Sequence, residues 1–418
     1  MTSFAEITTM GVGGFIEQFV EPTTRVGVIE AIEEADSKNL PLCVIGGGSN
    51  ILASDEPFEG VVVRDTRRNI TVPDEAAPVE GGDTTVHVNA EAGCNWDDFV
   101  DFCVGLGLEG VEGLSGIPGT VGASVVQNIG AYGQDVSRTV ESVEVWDRAD
   151  KKTKELSNAD LHFGYRTSAL KSSMYVAPAV PAAHFFPSPR FIVLSVTFAL
   201  HHSNEGTVSY AQLAKALGVE LGARLPIRDI RNAVLHVRGQ KGMLEDATRY
   251  RLPAMQDTKR PANVREAIEQ QVKHADCAGA SSEACVAANV EALDGEQDYD
   301  YNRHSCGSFF MNPILTQGQA DKLPEDAPRF QAVLPDGSKG VKTSAAWLID
   351  HAGFHKGYRI NDHAHASVSP LHTLALTNRG GATSGDIMAL ARTVRDGVEV
   401  QFGVRLVPEP VLIGLSID

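Results

Sequence analysis

Gly113-Leu114-Ser115-Gly116-Ile117-Pro118-Gly119-Thr120-Val121-Gly122-Ala123 and, three residues further on, Gln127-Asn128-Ile129-Gly130-Ala131-Tyr132-Gly133 form the stretch on which the fold turns. From Gly105 to Gly133, twenty-nine residues hold nine glycines and one proline, Pro118. That density is too high for a helix, and the intervening residues are too apolar for a linker. It predicts a backbone that approaches a ligand closely, with Ser115, Thr120, Gln127 and Asn128 as polar contacts along an extended molecule.

Upstream, Val26 to Asn39 carries apolar residues at helical spacing after the capping candidates Thr23 and Thr24. The short apolar run Leu40 to Ile45 then stops at Gly46-Gly47-Gly48-Ser49-Asn50, a pattern that reads as a buried strand feeding a tight loop. Consecutive glycine amides after a strand can face a phosphate because no Cβ blocks the approach. A tight strand-to-strand turn is the alternative reading. Val61 to Val63 and Thr85 to Val88 are further strands, and Trp96 to Leu106 is an amphipathic helix leading into the glycine-dense stretch. Beyond it, Val140 to Trp146 and Phe191 to Leu200 read as strands. The strand pattern ends in polar residues at His201 to Gly206, which places a domain boundary near Asn204. Tyr210–Leu217, Pro226–Val237, Ser344–His351 and Ile387–Phe402 are expected helices, and Leu371–Thr377 an expected strand. Ala275 to Tyr301 holds seven acids and no Lys or Arg, a composition that buries little and predicts a surface segment, with a weak helix near Cys285 to Leu293.

The chain has 418 residues and a formal charge of −18 from 36 basic and 54 acidic side chains. Its length suggests two or three domains, and its acidity is the reverse of a nucleic-acid footprint. An anionic ligand would need a locally basic pocket. Six cysteines without a C-x-x-C pair argue against a disulfide scaffold or a zinc ribbon. His363-Ala364-His365 matches no standard metal spacing. The first residues lack a basic region followed by an apolar core, and no stretch approaches the roughly 18 apolar residues of a membrane span. A cytoplasmic protein is expected.

Four further motifs join the glycine loops: Phe163-Gly164-Tyr165-Arg166-Thr167-Ser168, Cys306-Gly307-Ser308-Phe309-Phe310-Met311-Asn312-Pro313, Ala345 to Gly353, and Pro408-Glu409-Pro410-Val411-Leu412-Ile413-Gly414. Together, and in this order, they resemble the UDP-N-acetylenolpyruvoylglucosamine reductases, the flavoenzymes that complete UDP-N-acetylmuramate in bacterial peptidoglycan synthesis. The resemblance runs from about Thr8 to Gly414. It implies an α+β fold: a two-lobed FAD-binding PCMH-type (vanillyl-alcohol-oxidase-like) module over residues 1–204, with lobes at about 1–70 and 71–204. A C-terminal α/β substrate-binding domain would follow over 205–418, with a final strand returning Glu409 to the active site. Two departures stand out. The family commonly begins the segment Thr8 to Gly14 with an asparagine, and its short link between Lys241 and the serine motif is lengthened here by an acidic insertion at about 246–300.

The same resemblance implies non-covalent FAD, NADPH as co-substrate and a monomer. FAD would be held by Gly46, Gly47, Gly48, Ser49, Asn50, Ser115, Gly116, Ile117, Pro118, Gly119, Thr120, Gly122, Ala123, Gln127 and Asn128. Arg166, Ser308 and Glu409 would be catalytic, and Tyr210, Arg238, Lys241 and Asn312 would contact the substrate diphosphate. The chemistry suits these residue types. Reduction of an enol ether conjugated to a carboxylate builds charge on that carboxylate, which paired guanidinium donors stabilise; a protonated carboxyl can assist, and a placed hydroxyl can return a proton to the neighbouring carbon. Taken singly, each residue has a bland reading as a surface polar group. An oxidase on the same FAD fold, and a nucleotide-binding regulatory protein without turnover, are the competing classes. Bleaching of the flavin band by NADPH, and its recovery with the enolpyruvyl UDP-sugar as against air, separates them.

Overall fold

The computed structural model describes residues 1–74, 82–175, 186–246, 249, 252–256, 300–334 and 336–418. The chain forms two compact units: residues 1–2, 16–48 and 57–298 make the first, and residues 3–15, 49–56 and 299–418 the second. Most of the acidic segment, including the helix expected at Cys285 to Leu293, lies outside the described residues.

The two largest sheets of the first unit among the described residues are of different kinds. Strand Phe58–Val63 lies between Ile16–Val20 and Leu42–Val44, parallel to both. Parallel strands need covered faces, and helix Arg25–Ser37 supplies the cover by burying Val28, Ile32 and Ala35 against Leu42, Val61 and Val63. Thr24 starts that helix, its side chain accepting the Gly27 amide. The second sheet is antiparallel, in the order Lys152–Ser157, Val140–Asp147, Phe191–His202, Thr85–Glu91, Ile70–Thr71, with Leu108–Glu109 beside the end of Phe191–His202. Thr85–Glu91 alternates strictly between buried and half-exposed residues, as a strand with one covered face must. Trp96, Phe99 and Phe198 cluster at 4.5–6.0 Å between ring centroids in the core that sheet shares with helix Trp96–Gly105.

One expectation needs correction. The glycine-dense stretch is not wholly non-helical, because Val121–Gln127 is a helix. Thr120 caps it by accepting the Ala123 amide, and Asn128 ends it in the left-handed region at φ 49°. Gly122 is required there by packing, since a Cβ would lie 2.8 Å from the Ala92 Cβ. The compact units divide elsewhere than near Asn204. Residues 205–246 stay with the first unit because helix Ile227–Gly239 is rooted in it. Ile227 joins the core of the antiparallel sheet, Arg231 pairs with Asp97 at 2.7 Å with both side chains 6% exposed, and Arg238 Nε donates to the Gly116 carbonyl at 3.0 Å.

In the second unit, strand Ile51–Ala53 runs parallel to Val411–Ile413. Ile314–Leu315, Lys339–Lys342 and Phe330–Val333 form an antiparallel sheet, and Ala366–Val368 pairs with Leu376–Asn378. Helices Ala345–His351 and Ser384–Phe402 bury Leu348, Ile349, Ile387, Leu390 and Val394 in the core beneath. The strand expected over Leu371–Thr377 is confined to its end. The Ser369 hydroxyl accepts the amides of Leu371 and His372, and this turns the chain before residue 376. No helix among the described residues is long and apolar enough to cross a membrane.

Candidate active site

The two glycine loops, distant in sequence, meet inside the first unit. A Cβ on Gly46 would fall 2.6 Å from Thr120 Oγ1, and one on Gly47 would fall 2.8 Å from the Gly119 Cα. The strand Leu42–Val44 and the capped start of helix Val121–Gln127 therefore deliver Gly46-Gly47 and Gly119-Thr120 to one place, at a separation only glycine permits. Among the described residues, the amides of Gly46, Gly47, Gly119 and Thr120 donate to no protein acceptor. The amides of Val121 and Gly122 are already used, on the carbonyls of Cys94 (2.8 Å) and Ala92 (2.9 Å). Those carbonyls, with Trp96 N and Asn95 Nδ2 on the Gly119 carbonyl at 3.1 and 3.0 Å, hold the loop rigid.

Other residues expected at the cofactor serve the loop itself. Ser115 is buried, and its hydroxyl donates to the Glu112 carbonyl at 2.6 Å. The Gly116 amide donates to Asp97 Oδ1 at 2.6 Å, so the buried Asp97–Arg231 pair anchors the middle of the stretch. Gln127 accepts Lys171 Nζ at 2.7 Å through its side-chain oxygen. Asn128 donates to the Gly164 carbonyl at 2.8 Å and accepts the Ser137 amide. Ile117 and Pro118 bridge Gly116 to Gly119 and are half-buried, while Ala123 is exposed. Ser49 and Asn50 fall in the second unit, where the Asn50 carbonyl accepts the Val411 amide at 2.9 Å.

Arg166 stands at φ 56°, a left-handed conformation that costs a non-glycine residue of order 1–3 kcal/mol and persists only where the surroundings enforce it. The enforcement is visible. Its Nη2 donates to the Gly130 carbonyl at 2.6 Å and Nη1 to the Asn128 carbonyl at 3.3 Å, while the Tyr165 ring lies 5.3 Å below the guanidinium. Two residues past Gly130, Tyr132 also has positive φ (49°), and its ring meets that of Tyr210 edge-on at 5.7 Å. Tyr210 is 45% exposed and immediately precedes helix Ala211–Leu217. Lys241 Nζ donates to Gln212, in the first turn of the same helix, at 2.9 Å. The arginine, tyrosine and lysine motifs are thus connected through short contacts in one unit. Arg238 is buried in the same unit. It is 5% exposed, its Nε and Nη2 donate to the carbonyls of Gly116 and Met243, and burial draws its pKa down while the Tyr132 phenol and Asp97 oppose that shift. It ties helix Ile227–Gly239 to the glycine loop.

Within the second unit, the serine and glutamate motifs are paired. The Glu409 amide donates to the Phe309 carbonyl at 2.8 Å, the Met311 amide to Val407 at 3.0 Å, and Phe310 bridges Pro408. Phe309 and Phe310 are fully buried, with ring centroids 5.1 Å apart, and Gly307 has φ 71°. Ser308 therefore sits on a fixed backbone between a turn glycine and a core aromatic, half-exposed, with a hydroxyl that has no partner among the described residues. Burial pushes the neighbouring Cys306 thiol up to about 12, so it is not a nucleophile at neutral pH. Asn312 uses its side-chain oxygen to accept the Ala345 amide at 2.9 Å and cap the helix Ala345–His351. The amino-terminal segment that departs from the family pattern is held by Thr9, whose hydroxyl donates to the Ser305 carbonyl at 2.6 Å, and by Asn378, which donates to the Met10 carbonyl at 3.1 Å.

Comparison with known proteins matches two separate stretches of the chain. A family profile described as an FAD binding domain matches residues 16–157, and one described as the C-terminal domain of UDP-N-acetylenolpyruvoylglucosamine reductase matches residues 297–413. The UDP-N-acetylenolpyruvoylglucosamine reductase of Thermobifida fusca is 40% identical over 423 residues, spanning 99% of this chain and 97% of its own. The chain belongs to the UDP-N-acetylenolpyruvoylglucosamine reductase family. The protein of that name from Cutibacterium acnes is 37% identical over 99% of this chain and 89% of its own. The crystal structure of the reductase from Thermus caldophilus, 21% identical, superposes with a TM-score of 0.53 over 99% of this chain and 97% of that one, which shows the shared fold. As a family member the chain is an FAD-dependent oxidoreductase of peptidoglycan precursor synthesis, with a PCMH-type FAD-binding module and a C-terminal reductase domain. The residues present fit FAD: the closely packed Gly46-Gly47 and Gly119-Thr120 offer amides to a diphosphate at a point where no Cβ intrudes.

Sequence reasoning missed three side chains. Asp97 looks like an ordinary first-turn acid of its helix, Arg231 like a solvent-facing helical arginine, and neither spacing nor composition signals their pairing. Arg249, 4% exposed with Nη2 3.2 Å from the Gly47 carbonyl, lies within the insertion at about 246–300, to which the sequence assigns no role.

Proposed function

We propose that this chain catalyses the NADPH-dependent reduction of the enolpyruvyl ether of UDP-N-acetylglucosamine to UDP-N-acetylmuramate. The observation that carries the reading is the pairing of the serine and glutamate motifs, through the Phe309 carbonyl and the Glu409 amide, in the domain that matches the family's C-terminal profile. FAD, held at the two glycine loops and reduced by NADPH, supplies the hydride.

The remaining work belongs to the protein. Ser308 gives the proton to the carbon next to the one that accepts hydride, and its place on a fixed backbone after the turn at Gly307 supports that assignment. Arg166 stabilises the enediolate charge that builds on the substrate carboxylate, with Glu409, protonated, donating to the same group. The carbonyls of Asn128 and Gly130 hold the Arg166 guanidinium in place for that purpose. Lys241 and Tyr210 bind the substrate diphosphate, Arg238 positions the loop on which they depend, and Asn312 contributes through its amide nitrogen. Residues 1–204 carry the cofactor and residues 205–418 the larger share of substrate contacts.

The test separates the two half-reactions. In stopped flow, Ser308→Ala should be reduced by NADPH at the wild-type rate, while reoxidation by the enolpyruvyl UDP-sugar slows by about 10²–10⁴-fold, the usual worth of a placed general acid. Reoxidation of Ser308→Ala at the wild-type rate would remove the serine from the mechanism.

A further inference from the structure

The beginning of the acidic segment is built into the first unit. The Arg249 amide donates to the Asp246 carbonyl, that of Leu252 to Arg249 (3.1 Å) and that of Met255 to Leu252 (2.8 Å), which brings Met255 to a site where it is 4% exposed. Two arginines fasten it from opposite sides. Arg64, directly after strand Phe58–Val63, donates through Nη1 to Met255 Sδ at 2.9 Å and through Nη2 to the Ala254 carbonyl. Arg64 is itself fixed, by Glu21 at 2.6 Å and by the Phe19 ring at 4.9 Å. Arg249 reaches the other way. Its Nη2 donates to the Gly47 carbonyl at 3.2 Å, and Nη1 lies 3.6 Å from Glu245.

Gly47 is the centre of the triple-glycine loop, pressed on Gly119. Glycine has more backbone freedom to lose than any other residue, so a ligand requiring this loop in one shape must bear the ordering cost unless it is met beforehand. A guanidinium on the Gly47 carbonyl meets it. The peptide is planar and trans, so its C=O and N–H point in opposite directions, and fixing the carbonyl fixes the plane of the Gly47–Gly48 link.

We propose that Arg249 is a positioning residue of the FAD site, pre-ordering Gly46 to Gly48 for the FAD diphosphate, so that the additional length of this chain takes part in cofactor retention. This rests on the reading of Gly46, Gly47, Gly119 and Thr120 as the diphosphate cradle. Full-length protein stripped of FAD, as wild type, Arg249→Gln, Arg249→Lys and Gly47→Ala, is titrated with FAD by fluorescence quenching, and each apo form is also unfolded in urea. Arg249→Gln should raise the FAD Kd at least tenfold and Arg249→Lys by less, with the same ranking for ADP as competitor. A Kd for folded Arg249→Gln within twofold of wild type overturns the proposal. If that variant does not fold, Met255→Ala replaces it, since it loosens the same segment with Arg249 retained; an unchanged Kd there is equally fatal. The cradle reading fails on its own when Gly47→Ala binds FAD as tightly as wild type. Weakened Gly47→Ala beside unaffected Arg249→Gln sinks Arg249 alone.

Discussion

Replacing Gly47 by alanine tests the junction of the two glycine loops most directly. The new Cβ would sit 2.8 Å from the Gly119 Cα, 3.1 Å from its nitrogen and 3.5 Å from its carbonyl carbon. Every one of these neighbours is backbone, so no side chain can swing aside. Ordinary van der Waals contact begins at 3.4 Å, leaving a shortfall of about 0.6 Å that one loop or the other must absorb. Gly119 is poorly placed to give way, because its carbonyl accepts both Trp96 N and Asn95 Nδ2. Gly47 must therefore move, and its amide and that of Gly46 move with it. Overpacking of this kind costs about 1–3 kcal/mol. If the displaced amides no longer converge with those of Gly119 and Thr120, that cost appears in cofactor affinity as a rise in Kd of roughly five- to 150-fold. The measurement is titration of apo protein with FAD, with Gly105→Ala as the control. Gly105 closes helix Trp96–Gly105, its phantom Cβ meets nothing within 4 Å, and alanine there should leave FAD binding untouched. Wild-type affinity in Gly47→Ala, with the helical control also silent, would show that the loops do not jointly hold the cofactor.

Two stability predictions rest on buried charge. Asp97→Asn puts an amide donor opposite a guanidinium whose side chain is 6% exposed and should destabilise the first unit by about 3–5 kcal/mol in urea unfolding; a loss under about 1 kcal/mol contradicts the pairing. Asp147 has a fully buried side chain, and burial alone would raise its pKa, but hydrogen bonds from Arg190, Lys154 and the Ala149 amide outweigh this and hold the carboxyl well below the ordinary range. A depressed folded pKa adds stability above the unfolded value of about 3.9 that fades as pH falls through the folded one. The gap between wild type and Asp147→Asn in thermal melts should accordingly narrow from about pH 5 downward, and a gap constant from pH 6 to pH 3 counts against the linkage.

The elements were legible where one physical signal dominated. Helices Arg25–Ser37, Trp96–Gly105 and Ser384–Phe402 announce themselves by periodicity and caps, and the strands Phe58–Val63 and Phe191–His202 by β-branched apolar runs. The helix Val121–Gln127 was hidden because glycine content argues against helices, whereas Gly122 is needed for contact with Ala92. The division of units was hidden for a related reason. Nothing local in Pro226 to Arg238 says that Arg231 and Arg238 reach back to residues more than a hundred positions earlier. Motif reading brought Arg166, Ser308 and Glu409 forward, but not the carbonyls and amides that fix them, since backbone partners leave no mark in the sequence.

Those backbone partners also explain how a chain at −18 can receive polyanions. Many surface arginines are spent on carboxylates: Arg25 on Glu144, Arg148 on Asp36, Arg190 on Asp147. Such pairs are locally neutral. Arg166 and Arg238 are held instead by the carbonyls of Asn128, Gly130, Gly116 and Met243, and Arg249 shares itself between the Gly47 carbonyl and Glu245. A carbonyl fixes a guanidinium without cancelling its charge. The carbonyl sites lie in or beside the glycine loops, so the hydrogen bonds that fix the backbone there also hold guanidinium groups next to it. Net charge, a sum over the whole surface, is blind to this, because what an anionic ligand meets is the local field of groups that cannot turn away from it.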